Sequence, residues 1–385
     1  MSFSSPPTSN KKRVVVAMSG GVDSSVAAAL LVKQGYDVIG IMMRLWSESI
    51  ATQTTIANRC CTPDQMADAR RIADQLNIPF YVLDAQSQFR GSIVQQFIDD
   101  HNAGLTPNPC ISCNRRIRFS FLLQHAKALG AQFLATGHYA RVRQNGGNFE
   151  LLKGIDPHKD QSYVLYTLNQ RKLAHILFPV GEYIKEDVRA LAEEFALPVA
   201  SKHDSQDLCF ITDGNYRAFL ERQNTNGFEP GPILDQNGRE LGRHAGLPFY
   251  TIGQRKGLGI SADRPLFVLE KDKTRNAIII GPREALEQHT FRIRDLNWIS
   301  GEGISSKQLV DIKIRYKATA VPGYIITSSN NDAVIKLITP VRGVTPGQGA
   351  VFYRGDVCLG GGIITGQRED LTDEKSFSNE QLEEL

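Results

Sequence analysis

The residues able to do chemistry are a pair of cysteines and a glycine-rich loop. Residues 107–114 read PNPCISCN, so Cys110 and Cys113 form a C-x-x-C pair in a Pro- and Asn-rich turn. Such a pair serves as half of a zinc site, a redox disulfide, two cluster ligands or a catalytic thiol with a neighbour. Cys113 precedes Arg115, Arg116 and Arg118 near the start of a predicted helix, where positive potential favours the thiolate. A further thiol, Cys209, stands in DSQDLCFITDGNY and by itself reads as a core cysteine. Cys60, Cys61 and Cys358 read as structural, with the adjacent pair Cys60–Cys61 in a loop open to oxidation.

The loop is SGGVDSS at 19–25. Gly20 and Gly21 carry no Cβ, so their amides can approach a phosphate, and the N-terminus of the helix that follows favours an anion. Ser19, Ser24 and Ser25 add hydroxyl donors. The loop lacks the lysine of a Walker P-loop and the G-x-G-x-x-G spacing of a dinucleotide fold. The plainer alternative is a glycine turn with Asp23 as a helix cap.

These groups need a scaffold. RVVVAM at 13–18 predicts a buried parallel strand, VAAALLVKQG a helix closed by Gly35, and YDVIGIMM a second strand. PDQMADARRIADQLN places Met66, Ala69, Ile72, Ala73 and Leu76 on one helical face, with Pro63 at its start. PFYVLD predicts a third strand, QFRGSIVQQFIDDHN and RRIRFSFLLQHAKALG two helices, and QFLATGHYA a fourth strand. Strands alternating with helices predict a doubly wound α/β sheet, whose ligands bind beyond the carboxyl ends of the strands. Met43, Gly137, the glycine loop and the C-x-x-C turn all follow strands or lie in loops at that edge.

Beyond residue 228 glycines multiply and the apolar runs shorten, predicting a small β-rich domain with a hairpin at Gln236–Gly238. VDIKIRYKATAVPGYII, DAVIKLI and GAVFYRG predict a C-terminal β-barrel. The predicted organisation is a flexible lead (1–12), an α/β domain (13–222), a central β-rich domain (223–290), a barrel (291–366) and an acidic tail (367–385). The tail holds seven acidic and two basic residues, so the net charge of +3 divides into +8 for residues 1–366 and −5 for the tail. A basic body implies a polyanionic partner. With no apolar run near the ~20 residues of a membrane helix and no secretory signal, the expectation is a cytoplasmic monomer that does not meet a membrane. Six cysteines in 385 residues are no disulfide framework.

SGGVDS after a hydrophobic strand resembles the PP-loop of the ATP pyrophosphatase superfamily, which implies an adenine nucleotide alpha hydrolase-like fold and cleavage of ATP between its α and β phosphates. The nucleotide would then meet Ala17, Met18, Ser19, Gly20, Gly21, Val22, Asp23, Ser24, Met43 and Gly137. AMSGGVDSSVAA, TPNPCISCN, ATGHYAR, KDQSYVLY, DSQDLCFI, YTIGQRKGLGI and IRYK occur in the order found in tRNA-specific 2-thiouridylases, a resemblance reaching to about Gly366. It implies ATP-dependent 2-thiolation of the wobble uridine of the tRNAs for Lys, Glu and Gln. Cys113 takes the position of the nucleophile and Cys209 that of the persulfide carrier. Asn108, Pro109 and Cys110 take the loop at the target base; Lys159, Asp160 and Gln161, with Arg315 and Tyr316, take the contacts to the tRNA. The implied partners are the tRNA anticodon stem-loop and a sulfur-relay protein or cysteine desulfurase.

Mg²⁺ is expected with ATP, and Asp23 is the one ligand the sequence offers. Some relatives carry Asp where this chain has Cys110, which leaves proton transfer open. It also admits a competing reading, an iron–sulfur cluster on Cys110, Cys113 and Cys209. Zinc would need distant ligands such as His101 and His138, since no second C-x-x-C is present. Two further readings are a PP-loop ligase acting on a small molecule and a non-catalytic RNA-binding protein.

Overall fold

The computed structural model describes residues 11–46, 48, 62–202, 208–211, 214–223, 228–304, 308–327 and 331–365. The lead up to residue 10, Cys60, Cys61, residues 204–207 and 212–213 of DSQDLCFITDGNY, and the acidic tail lie outside them. No helix among the described residues is long and apolar enough to cross a membrane.

The first strands are β1 (Arg13–Ala17), β2 (Asp37–Arg44), β3 (Phe80–Asp84) and β4 (Phe133–Ala135), followed by a hairpin of β5 (Ala140–Asn145) and β6 (Asn148–Lys153), and by β7 (Ile176–Leu177). A five-stranded sheet forms in the order β3-β2-β1-β4-β7, parallel throughout. Val14, Val15 and Val16 are fully buried because helices cover both faces. Helix Val22–Lys33 is apolar nearly all round because it is enclosed by the sheet and by helix Lys185–Glu194, whose Val188 and Ala192 share its cluster. Helix Pro63–Gln75 starts on a capping box between Thr62 and Gln65 and buries Ala69, Ile72 and Ala73, as its periodicity predicts.

The C-x-x-C segment differs from the expectation. Cys110 and Cys113 do not lie in a turn ahead of a helix; they lie in its first turn, Pro109–Cys113. Asn108 caps it by accepting from the Cys110 amide at 3.1 Å, and Pro109 supplies a first residue with no amide to satisfy. The helix continues through a π-helical stretch, Asn114–Leu122, kinked at Phe119, into Leu123–Ala128. The segment HKDQSYVLYTL contains a buried 3₁₀ turn, Ser162–Leu165. Tyr163 and Tyr166 fall within the core.

The central region forms a four-stranded sheet from β8 (Gly231–Leu234), β9 (Glu240–His244), β10 (Phe267–Asp272) and β11 (Ala277–Gly281), ordered β10-β11-β8-β9 with the expected hairpin between β8 and β9. One apolar cluster ties it to the first region: Ile233, Val268 and Ile278 of its strands share that cluster with Phe97, Phe210 and Phe219.

The last six strands are β12 (Glu287–Trp298), β13 (Val310–Lys313), β14 (Val321–Thr327), β15 (Ala333–Arg342), β16 (Gly349–Arg354) and β17 (Val357–Ile364). They run in the order β12-β15-β14-β13-β16-β17, and a β12–β17 pairing closes them into a barrel. β17 also pairs with β6, Val357 opposite Leu152, so the hairpin of the α/β region extends the barrel wall. Arg315 and Tyr316 are not part of a strand. They lie just past the end of β13, in a turn where the Ala318 amide donates to the Arg315 carbonyl at 3.1 Å.

His101 sits where the two regions meet. It packs edge-on to Phe97 at 4.5 Å and stacks with Tyr216 at 5.8 Å. Burial, reinforced by the Lys271 ammonium, lowers its pKa to about 3. The folded protein therefore keeps this ring neutral while the unfolded chain takes up a proton below about pH 6.5. Stability from the neutral ring is complete above that value and is lost as the pH falls toward the folded pKa. Between pH 7.5 and 5.0, urea titrations of the wild type should lose about 2 kcal/mol more than those of His101→Phe, which keeps an uncharged ring. Equal losses would show that His101 does not set this dependence.

Candidate active site

At the carboxyl end of β1 the chain turns through Ser19, Gly20 and Gly21 into helix Val22–Lys33. Gly20 adopts φ +67°, and a Cβ there would meet the carbonyl oxygen of Gln65 at 2.3 Å. Only glycine satisfies both demands. Serines lock the turn: Ser24 Oγ takes the Ser19 amide at 3.2 Å, and Ser25 Oγ donates to the Gly21 carbonyl at 2.7 Å. The Gly20 carbonyl is held by Lys202 Nζ at 2.9 Å, which also pairs with Asp68 at 2.9 Å. With its carbonyls so engaged, the loop and the helix N-terminus form an anion cradle. Met18 is buried below it against Gly40, Val22 anchors the helix in the core, and Ala17 and Met43 are half-buried.

Gly137 closes the cradle from β4. A Cβ at this position would lie 2.7 Å from both the Asp23 carbonyl carbon and the Ser24 amide nitrogen. Glycine is required for this close approach of two backbones.

One oxygen of Asp23 is already engaged. Its Oδ1 accepts from Tyr139 Oη at 2.7 Å and pairs with Lys185 Nζ at 2.7 Å. Among the described residues no group of three His, Cys, Asp or Glu side chains is placed to hold a metal. This bears on the cluster and zinc readings. Cys110 is exposed, Cys113 buried and Cys209 between the two, and they form no such group. His101 and His138 are packed among aromatic rings.

Cys110, Cys113 and Cys209 are thiols in this state. Cys113 belongs to an apolar cluster with Leu45, Trp46 and Phe210, and Cys209 packs against the same cluster. Phe210, with its ring 5.9 Å from Phe89, anchors the segment that carries Cys209. A polar chain joins the cysteine helix to the segment around Gly137: Asn114 accepts from Arg118 at 3.2 Å, Arg118 meets His138 Nε2 at 3.4 Å, and Thr136 Oγ1 meets His138 Nδ1 at 2.7 Å. Burial first, and the Arg118 charge second, push the His138 pKa well below 6.5 and keep its ring neutral.

The residues assigned to the tRNA divide. Asp160 is buried, and its carboxylate is spent on the Gly154 and Ser162 amides and the Ser162 hydroxyl at 3.0–3.2 Å. Gln161 accepts from the Tyr139 amide at 3.0 Å and so braces the loop after Gly137. Lys159 is half-buried, its amide held by Asp156. Arg315 donates to the Gly343 carbonyl and to Thr345 Oγ1 at 3.0 Å. Tyr316, edge-on to Tyr163 at 6.2 Å, has its hydroxyl pushed up to about 12 by burial, with the negative Asp160 and Cys110 adding to it. The barrel thereby reaches the cysteine helix. Thr106, just ahead of Asn108, is also bonded to Pro346 and Gln348 at 2.8 Å. A cavity of about 570 Å³, lined by Arg141, Lys153, Asp160, Lys313 and Tyr353, lies between hairpin and barrel and shares no residue with the glycine loop.

Sequence reasoning missed Lys185 and Lys202. Lys185 stands in the charged string KEDVR, yet it is 6 % exposed. One signal was present: a lysine at the start of a helix opposes the dipole, and such local conflicts accompany function.

A glycine loop joining β1 to a helix at the carboxyl edge of a parallel sheet, in a chain that also gathers two cysteines on one apolar cluster, defines an adenine-nucleotide-binding protein of the PP-loop class. Matches to family models agree with the layout: a tRNA methyl transferase HUP domain over residues 12–213, a tRNA methyl transferase PRC-barrel domain over 217–282 and an aminomethyltransferase beta-barrel domain over 288–364. The tRNA-specific 2-thiouridylase MnmA of Heliobacterium modesticaldum is 47% identical over 358 residues, 92% of each chain. That of Moorella thermoacetica is 47% identical over 352 residues, 91% of this chain and 98% of the relative. A solved 4-thiouridine synthetase–RNA complex aligns with 16% identity and a TM-score of 0.36 over 55% of this chain and 50% of that one, too slight a likeness to bear on function. The chain belongs to the tRNA-specific 2-thiouridylase family.

Proposed function

We propose that the chain is an ATP-dependent tRNA sulfurtransferase that replaces the C2 oxygen of the wobble uridine, in the tRNAs for Lys, Glu and Gln, with sulfur. The observation that carries this reading is the pairing of a phosphate cradle with two thiols, Cys113 and Cys209, that border one apolar cluster. Methyl transfer, which the family models' descriptions mention, has no use for that combination.

The uracil oxygen is a poor leaving group until it carries AMP. The cradle binds ATP so that the oxygen attacks the α phosphate and pyrophosphate departs. The terminal sulfur of a persulfide on Cys209 then attacks C2, and AMP leaves. Cys113 attacks the Cys209 sulfur, the S–S bond of the adduct breaks, and its electrons form the C2–S bond order of thiouridine. A Cys113–Cys209 disulfide remains, which a cellular dithiol reduces before the next turnover. The uridine must leave its stack to reach C2. Asn108, Pro109 and Cys110 then meet the base, while Arg315 and Tyr316 hold the RNA by charge and stacking. Mg²⁺, when bound with ATP, offsets phosphate charge. A sulfur-relay protein or cysteine desulfurase loads Cys209, and the enzyme works as a cytoplasmic monomer.

Purified protein given ATP, unmodified tRNA and a persulfide donor should form 2-thiouridine, read by nucleoside mass spectrometry, with pyrophosphate release that requires the tRNA. Pyrophosphate release driven by a small-molecule acceptor instead would replace this reading with the ligase.

A further inference from the structure

The glycine loop has no lysine of its own, unlike a Walker loop. A helix N-terminus contributes only about half a positive charge, and Asp23 in its first turn subtracts from that. Among the described residues, the ammonium bonded to that carboxylate is Lys185, far along the chain.

Its placement is costly by every local measure. Lys185 opens helix Lys185–Glu194, where the dipole disfavours a cation and where Glu186 and Asp187 are the expected residues. It is 6 % exposed, and burying an ion pair seldom adds stability over apolar packing. The fold nevertheless fixes it from both ends. Its amide donates to Asp156 Oδ2 at 3.0 Å, and the next turns of its helix pack through Val188 and Ala192 onto the helix that the glycine loop begins. Its Nζ shares Asp23 Oδ1 with Tyr139 Oη, each at 2.7 Å, next to the backbone contact made by Gly137. Lys202 does not serve the same end, because it is bonded to the Gly20 carbonyl and to Asp68.

We propose that Lys185 is a nucleotide-binding residue that supplies the phosphate-binding cation the loop lacks, held at the cradle by Asp23 and Tyr139 and shared with the triphosphate when ATP binds. The inference rests on the ATP site proposed above. A lysine acting on the outer phosphates matters for ATP and not for AMP, and that difference is the test.

Calorimetric titration with ATP and with AMP, without tRNA, reads both. Lys185→Met should weaken ATP about tenfold or more and leave AMP unchanged, and Lys185→Arg should restore most of the loss. Equal weakening of ATP and AMP, or none, would overturn the proposal. The double variant Asp23→Asn/Lys185→Gln, a neutral pair that keeps a hydrogen bond, covers the case in which Lys185→Met does not fold. It should remain weak for ATP; recovery to wild-type affinity would show that Lys185 only neutralises Asp23. A wild type that binds neither nucleotide would instead sink the ATP site itself, which separates the two failures.

Discussion

Cys209→Ser is expected to bind ATP and tRNA as the wild type does and to form no 2-thiouridine, a fall of about 10³-fold or more. Serine keeps the shape of the side chain but cannot carry a sulfane sulfur. Cys209 packs on the rim of an apolar cluster while Phe210 beside it is anchored among Phe89, Phe97 and Phe219, so the substitution leaves the fold intact. Cys113→Ser should fail at a different stage: Cys209 still loads and the sulfur still reaches C2, but the adduct is not released. Intact-mass analysis of protein mixed with tRNA would show a covalent protein–RNA species for Cys113→Ser and none for Cys209→Ser. Wild-type turnover by Cys209→Ser would end the persulfide scheme.

Gly137→Ala carries the second large effect. A methyl group there would press on the Asp23 and Ser24 backbone at 2.7 Å, atoms that cannot rotate away as a side-chain end would. The strain of such overpacking is about 1–3 kcal/mol. Because the helix start that must shift is the phosphate cradle, the variant should bind ATP about ten- to a hundredfold more weakly. Gly137 needs no unusual backbone angle, so the defect is purely steric. Titration with ATP reads it directly, and unchanged affinity would show that the loop from β4 does not shape the cradle.

Those two sites differ in how openly the sequence announced them. The glycine loop was legible because a hydrophobic strand, two glycines and a serine-rich helix start are local events within a few residues. The same holds for the Pro63 helix, with its cap and apolar face, and for the hairpin at Gln236–Gly238. The barrel was legible as a run of short strands, but its closure was not, since β12 meets β17 across the whole domain. Lys185 and Lys202 were hidden because their partners, Asp23 and the Gly20 carbonyl, are more than a hundred residues away in the chain. Asp160 misled because a short acidic side chain in a polar string reads as exposed, whereas here it satisfies amides that a tight buried turn leaves open. The hairpin of β5 and β6 was passed over although Gly146 and Gly147 mark its turn.

That hairpin has a consequence for how the chain is made. β6 ends at Lys153, and the strand it pairs with begins at Val357. During synthesis its outer edge therefore stands open until β17 emerges, the same strand that seals the barrel seam against β12. Two β edges wait on one late segment, and open edges invite pairing with other chains. A ribosome stalled or released before Val357 would leave a nucleotide-binding half with an adhesive flank rather than a truncated but well-behaved enzyme. This one strand thus acts as a completion check: both edges close only once translation has passed Ile364.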